Sequence, residues 1–296
     1  MDLKPIAAKV FPRFQDLLER QQSADPYAVS PAYYRFTGRR GLFVLESGAS
    51  ALIVCRHPNK SDGWLAFPPF GPEGPSLLRF AAKDIPNLEL ARFQGSPGFG
   101  FDAVPETILD WRFPVHTLDP ARVAQLDGPD FRGVRAKVKR AQRQGVIART
   151  LDAGDLPQIL TMAGRWSDRQ HQSLSRDQLI GSHKDIFAIF ADPMVNLDGI
   201  ALECSGQLVG YRIWERPRGP DATASSLGAM TRTKIPGVSE YAMYAMAERV
   251  VAQGGRALCI GGSETASLDA FKRKFQPIRS TPLATYKPAQ QLRMAV

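Results

Sequence analysis

Apolar positions along the chain recur at two periods, which predicts a mixture of strands and helices. The apolar runs of Gly41–His57 are interrupted at Ser47–Ser50, which predicts two strands joined by a turn. Apolar residues at every third or fourth position predict helices near Pro75–Lys83, over Leu156–Arg169 and over Ser239–Gln253. Both halves run helix, antiparallel strands, then helix and strand. This order predicts a mixed α/β (α+β) fold with sheets flanked by helices.

The segment Asp130–Gly145 is predicted to form a helix with an apolar stripe and a dense cationic surface. Six of the fourteen residues from Phe131 to Gln144 are cationic and none is acidic. The helical period places four apolar residues on one stripe: Phe131, Val134, Val138 and Ala141. Asp130 is the expected N-terminal cap and Gly145 the expected C-terminal stop. The pattern therefore predicts a docked helix with its positive charges outward.

Composition and charge narrow the class of protein. With 296 residues, 44% hydrophobic and 23% charged, the chain has enough material for two ordinary domains or one large one. The formal charge of +9, from 38 Lys+Arg against 29 Asp+Glu, indicates an anionic partner. Nucleic acid, an anionic membrane surface and a phosphorylated substrate satisfy this charge equally, and a plain excess of surface lysine is the simplest alternative.

The cysteine pattern and the absence of long apolar runs indicate the compartment. Cys55, Cys204 and Cys259 lie far apart, which argues against a disulfide framework and fits a reducing environment. No apolar run is long enough to span a membrane, and the N-terminus has no apolar signal core. We therefore expect a cytoplasmic protein with at most peripheral membrane contact.

Sequence motifs of the common cofactor and metal sites are missing. The chain contains no GxGxxG before a helix, no GxxxxGK[ST], no zinc spacing and no G-x-S-x-G. The four histidines are scattered, and each is predicted to be structural or exposed: His57, His116, His171 and His183. We therefore predict neither a cofactor nor a metal.

The segment Ala257–Pro277 is the second candidate for chemistry. An apolar strand runs into two glycines, and Ser263 and Glu264 then stand where a loop meets a helix, a common ligand position in open sheets. Phe271 and Phe275 are i,i+4 partners, with three cationic residues between them. An amphipathic helix with solvated lysines explains the same pattern.

These segments resemble a known group of transferases. The Gly-Gly-Ser-Glu turn followed by FKRKF resembles the C-terminal signature of the Fem-type peptidyltransferases and the cytosolic catalytic domain of aminoacyl-phosphatidylglycerol synthases. LDGPDFRGVRAKVKRAQRQG and MTRTKIPGVSEYAMYAMAERVVAQGG are similar to further segments of the synthases. The resemblance implies two tandem GNAT-like domains, here residues 1–118 and 146–296, joined by a linker and basic helix at 119–145.

The resemblance also implies a reaction, the transfer of an aminoacyl group from aminoacyl-tRNA to an amine or hydroxyl acceptor. In the Fem-type pattern a lysine after a phenylalanine lies next to the 3′ end of the tRNA, and Lys272 after Phe271 matches it. Lys272 is therefore expected to stabilise the oxyanion that forms at the ester carbonyl. The acceptor is left open among a soluble small molecule, a peptide and phosphatidylglycerol.

Further site residues follow from the same resemblance. Arg232 and Glu240 match its arginine and acidic positions and are expected around the acceptor or the aminoacyl group, although a salt-bridged pair at a helix start is equally compatible. Glu264 is a candidate proton acceptor, and Ser263 and Trp166 are candidate substrate contacts. The expected tRNA phosphate contacts are Arg132, Arg135, Lys139, Arg140 and Arg143.

Two other functions compete with aminoacyl transfer. An acetyl-CoA-dependent N-acyltransferase needs backbone amides at a [QR]-x-x-G-x-[GA] turn opening a helix, and TRTKIPGVSEY does not match that pattern. A non-catalytic tRNA-binding protein on the same scaffold would bind tRNA without consuming its ester. The positive charge also fits an anionic membrane that holds phosphatidylglycerol.

Overall fold

The chain folds into two compact units that are not continuous in sequence. The computed structural model describes residues 3–7, 11–21, 23–58, 60–98, 100–104, 112–167, 176–231 and 234–289. The first unit comprises Met1–Val115, Gly262–Asp269 and Ser280–Val296. The second unit comprises His116–Gly261 and Ala270–Arg279.

The first unit is built on a seven-stranded sheet in the order β1-β2-β3-β4-β5-β14-β6. Its strands are β1 Lys4–Pro5, β2 Leu42–Ser47, β3 Ser50–Arg56, β4 Trp64–Ala66, β5 Leu88–Phe93, β6 Phe101–Val104 and β14 Ala284–Pro288. Its helices are α1 Phe11–Glu19, α2 Pro31–Thr37 and α3 Gly74–Asp84. The turn between β2 and β3 confirms the predicted hairpin, and α3 confirms the helix predicted near Pro75–Lys83.

The second sheet also has seven strands, in the order β8-β9-β10-β11-β12-β7-β13. They are β7 Val115–Leu118, β8 Ile147–Thr150, β9 Leu197–Cys204, β10 Gln207–Arg218, β11 Thr223–Thr231, β12 Ala257–Cys259 and β13 Arg279–Thr281. The remaining helices are α4 Pro120–Gln125, α5 Arg132–Arg143, α6 Leu156–Ser167, α7 Arg176–Phe190, α8 Val238–Ala252 and α9 Ala266–Arg273. The long helix predicted over Ser239–Gln253 is confirmed as α8.

The two sheets repeat one topology. In each sheet the first four strands pair antiparallel, and the fifth lies parallel to the fourth. A helix, α3 or α8, makes the crossover that a parallel pair requires. The sixth strand then pairs antiparallel with the fifth. Duplication, which the sequence supports only through element order, is therefore visible in the strand order and strand directions.

The sixth strand of each sheet breaks the linear domain division expected from the sequence. β14 comes from the C-terminal end of the chain, yet it lies in the first sheet between β5 and β6. Its Tyr286 packs against the first core and lies 6.2 Å, ring centroid to ring centroid, from Phe93. The expected segment 146–296 is therefore not one unit, and the basic helix of 119–145 belongs to the second unit.

The basic helix α5 forms as its apolar stripe predicts. Val134, Val138 and Ala141 are buried in the core of the second unit, together with Phe131. Gly145 stops the helix with φ +76, and the amides of Gly145 and Val146 donate to the carbonyls of Gln142 and Ala141. The predicted cap at Asp130 is wrong: Phe131 is the N-cap residue, without a side-chain cap. The Arg132 amide instead donates to the Pro129 carbonyl at 3.0 Å.

A glycine lets α5 approach the start of α8. Gly237, the N-cap residue of α8, has φ +86, and a Cβ built on it would lie 2.1 Å from the Lys137 carbonyl oxygen. Any side chain would therefore collide with the backbone of α5. The contact brings Lys137 of the basic helix to the first turn of α8.

We expect Gly237→Ala to destabilise the protein for two reasons. The left-handed backbone costs about 1–2 kcal/mol, and the overlap with Lys137 adds about 1–3 kcal/mol. The matched control is Gly254→Ala beyond the other end of α8, where φ is +79 and no atom lies within 4 Å of the added Cβ. Urea unfolding measures both variants, and equal losses of stability would contradict the close contact.

Candidate functional site

Glu240 stands at the centre of a cationic cluster in the second unit. It lies in the first turn of α8 and is 5% exposed. Its Oε1 accepts a hydrogen bond from Lys137 Nζ at 2.9 Å and lies 3.7 Å from Lys274 Nζ. The two lysines belong to α5 and to the segment just after α9. Glu240 therefore connects the basic helix with the FKRKF segment through one carboxylate.

Lys137 of the cluster stays charged at neutral pH. The hydrogen bond to Glu240 raises the pKa of Lys137, and this outweighs the desolvation that opposes it. A helix N-terminus also favours a carboxylate in the first turn. Two cations thus share one anion, which leaves net positive charge beside the buried carboxylate. Glu240 therefore forms a salt bridge at the start of α8, as the structural alternative for this residue predicts. Its Oε1 atom is already bound by lysine.

The Phe271–Phe275 segment anchors the second lysine. Phe275 is buried in the core of the second unit, and Phe271 packs against that core, with their ring centroids 5.4 Å apart. Lys272 between them is only 8% exposed. Lys274 Nζ lies 5.5 Å from the Phe271 ring centroid, so the same aromatic side chain that precedes Lys272 also supports Lys274. The predicted i,i+4 contact between Phe271 and Phe275 is confirmed.

The glycine turn before α9 places a serine inside the first unit. Ser263 is fully buried, and its carbonyl accepts a hydrogen bond from the Phe113 amide at 3.2 Å. Among the described residues, its hydroxyl oxygen meets no hydrogen-bonding partner. Glu264 beside it is exposed. Ser263 and Glu264 belong to the first unit, whereas Lys272 and Glu240 belong to the second.

The predicted phosphate-binding residues fall into two groups. Four are exposed along α5: Arg132, Lys139, Arg140 and Arg143. Arg135 is half-buried and donates to the carbonyl oxygens of Leu126 and Gly128, so it fastens the loop before the helix. Lys137, which the prediction left out, is the one that meets Glu240. The one-dimensional pattern does not identify the role of Lys137, because that contact depends on a residue 103 positions away.

Two predicted substrate contacts are not among the described side chains. Arg232 lies outside the described residues. Trp166 lies in α6, but its side chain is not described. Among the residues that the structure does describe, no helix has the length and apolar character to cross a membrane, and no group of acidic, histidine and cysteine side chains is arranged to hold a metal ion.

A buried polar pair joins α7 to β10 in the second unit, and the sequence does not predict it. His183 of α7 is buried, and its Nδ1 lies 2.5 Å from the Tyr211 hydroxyl oxygen on β10. Burial lowers the pKa of His183 to about 4. Because the two residues come from separate elements, no local motif announces the pair.

Solved structures with the same fold include the following three proteins. L-PGS from Bacillus licheniformis matches with a TM-score of 0.65 at 14% identity, covering 96% of this chain and 93% of that one. FemX matches with a TM-score of 0.65 at 12% identity, covering 97% and 96%. A tandem GNAT protein from the clavulanic acid biosynthesis pathway matches with a TM-score of 0.56 at 13% identity, covering 96% and 97%.

No family model and no curated protein matches the sequence. The structural matches nevertheless cover nearly the whole chain, and they agree with the repeated topology of the two sheets. The chain therefore has two tandem GNAT-like domains, as its resemblance to the Fem-type and aminoacyl-phosphatidylglycerol synthase group implies. Sequence identities of 12–14% establish the fold alone, so the function must be inferred from the site.

We expect Lys137 and Glu240 to be coupled energetically. In a double-mutant cycle, Lys137→Met and Glu240→Gln should show a coupling free energy of up to about 1 kcal/mol, because Lys137 is half-exposed. Urea unfolding of the single and double variants measures it. Lys139→Met on the exposed face of the same helix is the control and should not couple to Glu240. Equal coupling of both lysines would contradict the specific pair.

Proposed function

We propose that the protein is an acyltransferase that moves an aminoacyl group from aminoacyl-tRNA to an amine or hydroxyl acceptor. The observation that carries the proposal is the Glu240 cluster. It joins Lys137 of the cationic helix to Lys274, two residues after Lys272, within one GNAT-like unit. The proposed phosphate-binding surface and the proposed reactive lysine therefore share one structural support.

The proposed reaction needs little covalent work from the protein, because an aminoacyl ester is already activated. The acceptor nitrogen or oxygen attacks the ester carbonyl carbon, and the bond from that carbon to the 3′ oxygen of the tRNA breaks. The proton lost by the acceptor passes to the departing 3′ oxygen. Glu264, which belongs to the first unit, stays a prediction from the resemblance. Lys272 stabilises the oxyanion between these steps, and Phe271 packs beside the aminoacyl end.

Glu240 takes a positioning role in this proposal, whereas the resemblance implies a place around the acceptor or the aminoacyl group. Its carboxylate holds Lys137 and Lys274, which contribute positive potential near a phosphate-rich ligand. Ser263 remains a proposed substrate contact because its buried hydroxyl has no hydrogen-bonding partner among the described residues. Arg232 and Trp166 keep their expected substrate-binding roles as part of the proposal.

The exposed cations of α5 are proposed to contact phosphates of the tRNA acceptor arm. Such contacts do not depend on sequence and weaken as salt rises. FemX and L-PGS share the fold, as does the C-terminal domain of a putative lysylphosphatidylglycerol synthetase from Agrobacterium fabrum, whose name refers to a lipid product. Phosphatidylglycerol is therefore one acceptor to test, beside soluble amines and peptides.

Acetyl-CoA is the less favoured donor for the second unit. A GNAT of that kind offers the amides at the start of its crossover helix to pyrophosphate. Here that helix is α8, and the Lys137 carbonyl oxygen lies against Gly237 at its start. A carbonyl oxygen at this position repels an anion. Equilibrium binding of acetyl-CoA and of charged tRNA to the same protein compares the two donors.

The direct experiment incubates the protein with radiolabelled aminoacyl-tRNAs, with and without phosphatidylglycerol vesicles. We expect one or a few of the esters to be discharged faster than spontaneous hydrolysis, with the label recovered on an acceptor. tRNA binding without ester consumption would instead favour a non-catalytic tRNA-binding protein.

Lys272→Ala should lower the rate of ester discharge on the order of a hundredfold, because one oxyanion-stabilising group is lost. The dissociation constant for tRNA should change little, since most of the binding charge lies elsewhere. Single-turnover discharge measures the rate. Arg273→Ala, the exposed neighbour, is the matched control and should keep its rate. An unchanged rate in folded Lys272→Ala protein would rule out the proposed role.

Reversing the exposed charges of α5 should weaken tRNA binding and flatten its salt dependence. The variant combines Lys139→Glu, Arg140→Glu and Arg143→Glu and leaves the half-buried Arg135 in place. Each lost phosphate contact should reduce the slope of log K against log salt by about 0.7–0.9.

The charge-matched control for this triple variant reverses three exposed cations of the first unit, Arg20, Arg79 and Lys83. It changes the net charge equally, so only a local role of α5 distinguishes the two variants. Equal effects of both triple variants would show that net charge alone governs tRNA binding.

A further inference from the structure

His183 offers a polar atom that the proposed reaction has not used. Its side chain is 6% exposed, and its ring meets the Tyr211 ring edge to face at 5.7 Å between centroids. Nδ1 is hydrogen-bonded to the Tyr211 hydroxyl at 2.5 Å. Nε2 is also buried, and within the described part of the chain it meets no hydrogen-bonding group.

One arrangement of the polar hydrogens of His183 and Tyr211 leaves the fewest polar groups without a hydrogen-bond partner. Burial keeps His183 neutral near pH 7 and raises the pKa of Tyr211, so the two side chains share two polar hydrogens. If the Tyr211 hydroxyl donates to Nδ1, only the Nε2 hydrogen lacks a partner. If Nδ1 donates instead, the Tyr211 hydrogen and the Nε2 lone pair both lack one. Since a buried unmet polar group costs about 1–3 kcal/mol, the first arrangement is favoured and Nε2 is a donor.

Tyr211, the side chain that orients this donor, lies next to an irregularity in the sheet. The pairing of β10 and β11 shifts between Ile213↔Gly228 and Trp214↔Ser226, so Leu227 forms a bulge. A Cβ built on Gly228 would lie 3.2 Å from Ile186 of α7 and 3.6 Å from the Tyr211 ring. Bulges are over-represented beside active sites, because they interrupt pairing and redirect side chains.

The bulge is also more open than its place in the sheet suggests. β11 has a strand on each side, yet Ser226, Leu227 and Gly228 are only half-buried, whereas β10 opposite them is buried. The Tyr211 ring therefore connects a half-open stretch of β11 to a buried, oriented N–H group. Small-molecule sites combine such features, apolar walls with a few placed polar atoms.

We propose that His183 Nε2, oriented by Tyr211 beside the bulge of β11, donates a hydrogen bond to an uncharged oxygen of the substrate. The inference rests on the proposed function, and the oxygen is either the carbonyl of the aminoacyl group or a hydroxyl on its side chain. An ammonium group has donors only, so a lysyl side chain cannot satisfy this contact.

Non-hydrolysable adenosines that carry seryl, alanyl or lysyl groups in amide linkage at the 3′ position are the probes. His183→Phe removes the donor, His183→Gln returns an amide N–H at a similar reach, and Phe187→Leu changes the packing against Tyr211 without touching the hydrogen bond. We expect His183→Phe to weaken binding about tenfold, the effect of about 1.4 kcal/mol. His183→Gln should recover part of this loss, and Phe187→Leu should bind like the wild type.

The pattern of losses identifies the oxygen. A loss confined to the seryl probe assigns the contact to the side-chain hydroxyl, and a uniform loss assigns it to the carbonyl. Dissociation constants that stay within about twofold of wild type for all three probes, set against that tenfold expectation, overturn the inference.

Imidazole nitrogen NMR of the unmutated protein provides a second readout that does not depend on the folding of a variant. We expect His183 to carry its hydrogen on Nε2 and its Nε2 resonance to shift when a probe binds. A bound probe that leaves this resonance unmoved overturns the inference. If the wild type discharges aminoacyl-tRNA and His183 does not respond, the inference alone fails; if it neither discharges ester nor binds a probe, the proposed function fails with it.

Discussion

The buried carboxylate of Glu240 is the constraint on which the second unit's cationic surface depends. A charge at 5% exposure is costly unless it is paired, and Lys137 and Lys274 supply the pairing from two different parts of the chain. Removing one lysine leaves the other, so the carboxylate remains compensated. The contact of Gly237 with the Lys137 carbonyl oxygen fixes the same geometry through the backbone. The ion pair and the close backbone packing therefore both fix the contact between α5 and α8.

The contact between α5 and α8 narrows the possible roles of the basic helix. An amphipathic helix with outward cations is compatible with any anionic partner. Once Lys137 shares a carboxylate with Lys274, the helix belongs to the same structural support as Phe271 and Lys272. It also occupies the start of the crossover helix, where a CoA-dependent relative of the fold would receive pyrophosphate. The contact between α5 and the start of α8 thus favours a tRNA ester over acetyl-CoA as the proposed donor.

Much of the fold could be predicted from local patterns. Particular residues show which features these patterns cannot predict. The stripe Phe131, Val134, Val138 and Ala141 predicts its own burial, because the helical period alone puts those side chains on one face. The cap at Asp130 failed because the helix starts one residue later than its sequence suggests. Of the candidate site, the Phe271–Phe275 pair could be predicted. The partners of Glu240 could not, because an ion pair between residues 103 positions apart leaves no local trace.

The sequence by itself determined the types of the elements and the amphipathic character of the cationic helix, because each rests on interactions between residues a few positions apart. Only the tertiary structure decided that β14 lies in the first sheet and β7 in the second, since strand pairing depends on partners that are distant in the chain. It also decided that Arg135 fastens a loop while Lys137 meets Glu240, and that His183 meets Tyr211. Cationic side chains on one helix have different roles, because burial and partner geometry arise only when the helices and strands of the unit pack together.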